Sequence, residues 1–240
     1  MSRVKVLGVG FDNFCLEDAV TYALELIEQR KAAYVVTPNP EIVMMAQEHQ
    51  ELKDTIESAD IVLPDGIGII YGAKILGTPI QGRVPGIDFA SELMKKLSER
   101  NGSVYLLGAK PGVAHRAGVN LQEKFPGLRV IGSHDGYFTD DGPIVEEINS
   151  AKPDLLFVCL GFPKQEIWMR EHSKELDVGL MAGLGGSLDV FAGVVRRAPI
   201  IWQKLGLEWL YRLLHDPKRI GRMMKLPLFL MYVLKERVKK

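Results

Sequence analysis

Four short runs in this chain are apolar almost throughout: AYVV (33–36), SVYLLG (103–108), DLLFVCLG (154–161) and VGLMAG (178–183). A strand with one wet face alternates apolar and polar residues, whereas a strand covered on both faces does not. Each run is followed by a segment with helical spacing. VKVLGV (4–9) precedes LEDAVTYALELIEQR (16–30), AYVV precedes EIVMMAQEHQELKDTIES, and DIVLP (60–64) precedes GIGIIYGAKIL. Helices are predicted over about 88–100, 112–125 and 143–150, then in PKQEIWMREHSKEL and GGSLDVFAG, with a further strand at LRVIGS (128–133). This alternation predicts an α/β fold, a mostly parallel doubly wound sheet with helices on both faces and right-handed crossovers. Such sheets take ligands at the carboxyl ends of their strands, near a switch in strand order.

The net charge is zero but unevenly spread. Residues 196–240 hold 12 Lys and Arg against 3 Asp and Glu, while the other 195 residues hold 18 against 27. An acidic body (1–195) with a basic helical appendage (196–240) suggests that the appendage meets something anionic. In the appendage Trp202, Leu205, Trp209, Leu213 and Leu214 fall on one helical face, with arginines and lysines between, as interfacial helices read. A helical hairpin packed on its own domain or on another copy is the competing reading. The apolar content argues against nucleic acid, and exposed apolar residues would favour self-association away from a membrane.

The longest strongly apolar run, LPLFLMYVL (226–234), falls far short of the ~20 residues a spanning helix needs. No membrane crossing and no signal peptide are expected. Two isolated cysteines, Cys15 and Cys159, fit a reducing compartment and no disulfide scaffold.

The polar corners all follow strands. TPNPE (37–41) offers Thr37 and Asn39, the latter a natural N-cap before Pro40. PDGIG (64–68) offers Asp65, either a cap for the helix from Gly66 or a site carboxylate. QGRVPGID (81–88) sets Arg83 among glycines. LLGAKPGVA (106–114) places Gly108, Pro111 and Gly112 at a strand-to-helix turn suited to phosphate. DGYF gives Asp135, Gly136 and Tyr137; LGFPKQEIW gives Gly161, Gln165 and Glu166; GLGGSLD ends on Asp189.

There is no P-loop, GxSxG elbow or HExxH, the histidines lack metal-ligand spacing, and GVGFDNF is only a partial dinucleotide fingerprint. No Asp-x-Asp occurs. A nucleotide diphosphate here would be met by arginines and helix N-termini rather than through a metal held by that motif.

Taken together, TPNPE, PDGIG, GRVPGIDF, LGAKPGVA, DGYF, LGFPKQEIW, RRAP, GLEWLYRL and DPKRIGR resemble the WecG/TagA/CpsF family of bacterial glycosyltransferases, in order along nearly the whole chain. The nearest likeness is to the branch that builds the linkage unit of wall teichoic acid. The resemblance implies a Rossmann-like fold with a helical C-terminal appendage, no cofactor and no metal requirement. It implies inverting transfer of N-acetylmannosamine from UDP-ManNAc to the 4-hydroxyl of GlcNAc on undecaprenyl diphosphate, at the cytoplasmic membrane face. Related branches use UDP-ManNAc uronic acid or UDP-glucose. The family-like positions are Thr37, Asn39, Asp65, Arg83 and Gln165 in the pocket and Arg212, Arg219 and Arg222 in the appendage. Asp65 is then the first candidate for the base and Glu166 the second. A nicotinamide-dependent oxidoreductase fits the sheet without its glycine fingerprint, and a non-catalytic membrane adaptor leaves the strand-end loops without a purpose.

Overall fold

The computed structural model describes residues 3–216 and 220–239, with backbone alone at 222 and 223. Among the described residues there are eight strands: β1 (Val4–Val6), β2 (Val9–Phe11), β3 (Ala33–Val36), β4 (Ile61–Val62), β5 (Ser103–Gly108), β6 (Arg129–His134), β7 (Leu155–Cys159) and β8 (Leu180–Gly183). The helices are α1 (Leu16–Gln29), α2 (Pro40–Ala46), α3 (Gln50–Glu57), α4 (Ile67–Ile75), α5 (Gly86–Ser98), α6 (Val113–Lys124), α7 (Gly142–Ala151), α8 (Lys164–His172) and α9 (Ser187–Phe191). The appendage adds α10 (Ile200–Lys204), α11 (Glu208–His215), α12 (Ile220–Met223) and α13 (Lys225–Lys239).

Six strands form one parallel sheet in the order β4-β3-β8-β7-β5-β6. The continuously apolar runs are its central strands, and every residue of β3, β5, β7 and β8 is buried. One face is covered through Val43 of α2, Ile56 of α3, Ile69 of α4, Ile148 of α7 and Met169 of α8. The other is covered through Ala23 of α1, Phe89 of α5, Leu121 of α6 and Leu188 of α9. This is the doubly wound Rossmann-like architecture that the alternation predicts.

The run 4–9 is not one strand. Leu7 and Gly8 both take positive φ (49° and 76°), so β1 and β2 turn back on each other as an antiparallel hairpin outside the main sheet. Two consecutive left-handed residues make the tight turn whose twist suits a hairpin. Asp12 then accepts the Val62 amide at 2.7 Å and pairs with Arg3 at 3.1 Å, tying the hairpin to the edge strand β4. The glycines of GVGFDNF serve this hairpin. The segment predicted as one helix after β3 is two, α2 and α3, separated around Gln47–His49.

The apolar face expected across Trp202–Leu214 is likewise divided. Gly206 (φ 70°) ends α10, and α11 starts a new axis, with the Trp202 and Tyr211 rings meeting edge-on at 5.7 Å. A side chain at Gly206 would meet Ile67 of the body at 3.0 Å, so the break is also a point of close approach. Farther on, α13 lies against α2 and α4. Gly68 and Gly72, one turn apart on α4, leave a groove. A Cβ at Gly68 would stand 2.8 Å from Leu226, and one at Gly72 would stand 3.0 Å from Phe229. Phe229 and Val233 are fully buried there and share the core with Val6 and Ile69.

Candidate active site

Because the six strands are parallel, every loop after a strand opens on the same edge. β3 and β8 are neighbours, yet α2 and α9 leave them toward opposite faces, which opens a crevice between the strand ends. Thr37 sits there. Its Oγ1 donates to the Gly183 carbonyl at 3.3 Å, one stitch beyond the last ladder pair, Val35 with Ala182. Asn39 caps α2, its Oδ1 accepting the Ile42 amide at 3.1 Å.

Asp65 follows β4 and does not cap α4, whose N-terminus has no side-chain cap. Its carboxylate instead takes the Gly86 amide at the start of α5. Gly86 is held close, since a Cβ there would lie 3.3 Å from Thr37 Oγ1. The Asp65 carboxyl is half-buried by surface exposure but surrounded by protein, and this desolvation pushes its pKa up to about 6. Arg83 and Arg212 oppose that rise, Glu208 adds to it and the Gly86 amide opposes it.

The charges around Asp65 form one cluster drawn from body and appendage. Glu208, in the first turn of α11 and only 8% exposed, receives Arg212 Nη2 at 2.6 Å. Arg83 Nη1 and Arg197 Nε each stand 3.8 Å from its carboxylate, on separate oxygens. Arg197 also grips Asp88 of α5 through both ends of its guanidinium, and this pairing holds its pKa up. Arg197 Nε is buried without a hydrogen-bond partner. Arg219 lies outside the described residues, and Arg222 is described only as backbone in α12.

Next along the edge, Gln165 and Glu166 lie in the first turn of α8, 3% and 1% exposed. Gln165 accepts the Gly185 amide at 3.0 Å and donates to Glu166 Oε1 at 2.8 Å, so it joins α8 to the loop after β8. Glu166 Oε2 is buried with no partner, and burial pushes the carboxyl up to about 7. Glu166 is therefore part of the wall, closed off from solvent and hydrogen-bonded to Gln165.

The glycine turn lies beyond. A Cβ on Gly108 (φ 127°) would stand 2.3 Å from the Cys159 carbonyl, so only glycine lets the ends of β5 and β7 approach this closely. Gly112 (φ 81°) begins α6, and Pro111 and Gly112 are exposed. Gly136 donates its amide to Ala109 at 2.9 Å, while Asp135 spends one oxygen on the Tyr137 amide at 2.8 Å and Tyr137 projects 72% exposed. Gly161 takes φ 79° before α8, and Asp189, half-buried in α9, supplies a carbonyl to the amides of Val194 and Val195. Cys159 is buried with its thiol pushed up to about 12, which leaves it protonated and no nucleophile.

The candidates thus fall into two neighbourhoods. Thr37, Asn39, Asp65, Arg83 and Arg212 gather at β3 and β4, and Gly108, Gly112 and the 135–137 turn gather at β5 and β6. From the end of β3 to the end of β5 there are three strand spacings, roughly 14 Å, with Gln165 and Gly161 between. Sequence reasoning passed over Asp88, Arg197 and Glu208. All three stand inside quoted motifs, but an isolated charge reads as solvated, and spacing cannot pair Asp88 of α5 with Arg197 of the loop before α10, 109 residues away.

An α/β protein with the desolvated carboxylates of Asp65 and Glu166 and several guanidinium groups at the carboxyl edge of its sheet has the build of a group-transfer enzyme for anionic substrates. The chain belongs to the glycosyl transferase WecG/TagA/CpsF family, whose model matches residues 4–240. It is 38% identical over 248 residues to the N-acetylglucosaminyldiphosphoundecaprenol N-acetyl-beta-D-mannosaminyltransferase of Staphylococcus aureus strain MW2, covering 99% of this chain and 94% of the relative. The same identity and coverage hold for the proteins of that name in strains NCTC 8325 / PS 47 and COL. The chain is accordingly a glycosyltransferase. Among the described residues no helix is long and apolar enough to cross a membrane.

Proposed function

We propose that the enzyme moves N-acetylmannosamine from UDP-ManNAc to the 4-hydroxyl of GlcNAc carried on undecaprenyl diphosphate, with inversion at the anomeric carbon. The observation that carries this reading is Asp65, a carboxylate held near pKa 6 beside Arg83 and Arg212 at the sheet's ligand edge. A base must be ionised yet still want a proton near neutral pH, and burial supplies that compromise. In the reaction Asp65 takes the proton of the acceptor hydroxyl, and the oxygen attacks the anomeric carbon. The bond from that carbon to the β-phosphate oxygen breaks, and UDP leaves with the electron pair. Arg83 and Arg212 meet the charge that appears on the diphosphate. Thr37 and Asn39 face the sugars, and the Gly108–Gly112 turn with residues 135–137 takes the far end of the elongated donor.

The appendage is the proposed membrane contact. Ile200, Ile201, Leu205, Leu214, Ile220 and Met224 are each at least 60% exposed in a segment rich in Lys and Arg. Apolar insertion plus ~1 kcal/mol per basic residue near anionic lipid would hold the enzyme at the inner face, where the lipid acceptor lies. A related donor, UDP-ManNAc uronic acid or UDP-glucose, is the second reading, favoured only by the family's breadth.

The test is transfer from a panel of UDP-sugars to a GlcNAc-diphosphate lipid, with native enzyme and Asp65→Asn side by side. UDP-ManNAc is the expected donor, and Asp65→Asn should lose ~10²–10⁴ in turnover while still binding UDP. Preference for another donor would replace the substrate, and near-native turnover in Asp65→Asn would remove the base.

A further inference from the structure

The element that the reaction does not use, and that the geometry singles out, is Glu208. It is a carboxylate only 8% exposed, in a helix start of the appendage, met by one guanidinium from its own helix and two from elsewhere. The appendage cluster otherwise brings three arginines together, Arg83, Arg197 and Arg212, and like charges gathered in a half-buried space repel. Asp88 already pairs with Arg197 through two contacts, so it answers one of the three. Arg83 has no ion pair among the described residues other than Glu208, and Arg212 has none other than Glu208.

We infer that Glu208 is a positioning residue: it fixes Arg83 of the body and Arg212 of the appendage side by side next to Asp65. It does so with few of their donors. The Arg212 contact, at 2.6 Å, uses one Nη, and Arg83 at 3.8 Å is drawn close without a hydrogen bond. Each guanidinium has five N–H donors, so most remain for a phosphate. A free Arg212, 42% exposed, would otherwise lose rotamer freedom when it is recruited. Glu208 meets that cost before substrate arrives. It sits across the join between body and appendage, so the same contact reports whether α11 is in place.

This inference rests on the proposed UDP-sugar transfer for its kinetic readout, but not for its structural one. Glu208→Gln keeps the shape and removes the charge. KM for the UDP-sugar should rise about tenfold, the effect of losing one charge-assisted contact, while kcat at saturating donor changes much less. UDP affinity by calorimetry should fall by the same factor. Combining Glu208→Gln with Arg212→Gln should cost little more than either alone, because both break one unit. Separately, trypsin should cut native enzyme slowly in α10 and α11 and Glu208→Gln faster. Tighter UDP binding in Glu208→Gln would make Glu208 a mere competitor of the phosphate and overturn the inference, as would additive effects in the double variant or unchanged proteolysis. If Glu208→Gln does not fold, Glu208→Asp replaces it. That variant keeps the charge on a shorter arm and should show a smaller KM rise that is still non-additive with Arg212→Gln, and additivity would again overturn the inference. A native enzyme that neither binds UDP nor transfers sugar would sink the reaction while the proteolysis still judges Glu208.

Discussion

The hydroxyl of Thr37 donates to the carbonyl of Gly183, 3.3 Å away, and so ties the end of β3 to the end of β8 at the crevice where the sheet changes hand. A hydroxyl on this corner has no local purpose in the sequence, and across the crevice it has one. The same side chain lies against Gly86, whose amide serves Asp65. Thr37 therefore stands one residue from the proposed base without touching it through a bond of its own.

Thr37→Val keeps the shape and removes the donor, leaving the Gly183 carbonyl short of a partner. Urea unfolding should show a loss of about 1 kcal/mol, with Thr37→Ser close to native. Transfer should fall in Thr37→Val more than in Thr37→Ser. A valine variant as stable and active as native would mean the 3.3 Å contact does no work.

Asp65 predicts a pH profile. The base must be deprotonated, so kcat/KM should rise with pH through an inflection near about 6. Arg83 holds the carboxyl down, so Arg83→Gln should move the inflection to higher pH. In Asp65→Asn this inflection should vanish from the residual activity. A profile in Arg83→Gln that stays put or moves to lower pH contradicts the assignment.

Glu166 predicts a stability effect instead. Folded, it keeps its proton to about pH 7; unfolded, it releases it near the ordinary glutamate value of 4.5. The folded state holds more protons in that window, so stability falls as pH rises from about 4.5 through about 7. Glu166→Gln lacks this dependence. Relative to native, it should gain ~3 kcal/mol between the acid and alkaline ends of that window. Denaturation curves that keep a constant offset across pH would show that Glu166 titrates normally.

Phe229→Ala should cost about 3–5 kcal/mol, because the ring is fully buried in the α4 groove. Gly72→Ala tests the same contact from the other side, setting a methyl 3.0 Å from the ring and 3.1 Å from Val6. Both should loosen α13, seen as faster proteolysis in 225–239. Native-like melting in both would mean that α13 is not bound to the core.

The sheet was legible because AYVV, SVYLLG and LLFVC are apolar on both faces, which short runs in a chain of this length need only when helices cover them from both sides. The hairpin at 4–11 was not, since Leu7 gives no sign of its positive φ. Nor was the division of the appendage, where Gly206 alone marks the break. At the site, the parallel sheet is what brings Thr37 and Asp65 to one edge. What escaped was the partnering of charges: Asp88, Arg197 and Glu208 matter through one another, and pairings between distant segments leave no periodicity to read. The burial of Glu166 escaped for the opposite reason, because a glutamate in the first turn of a helix usually faces water.

The groove that seats Phe229 has a consequence for how the appendage behaves in time. Ala198 is buried before α11 and Phe229 after it, so α11 is moored fore and aft. If it lifts from Asp65 it cannot diffuse away, and its return is an intramolecular event at an effective concentration on the order of millimolar. Supply of Arg212 to the site is therefore indifferent to dilution, and its rhythm is set by the length of the mooring rather than by the amount of enzyme present.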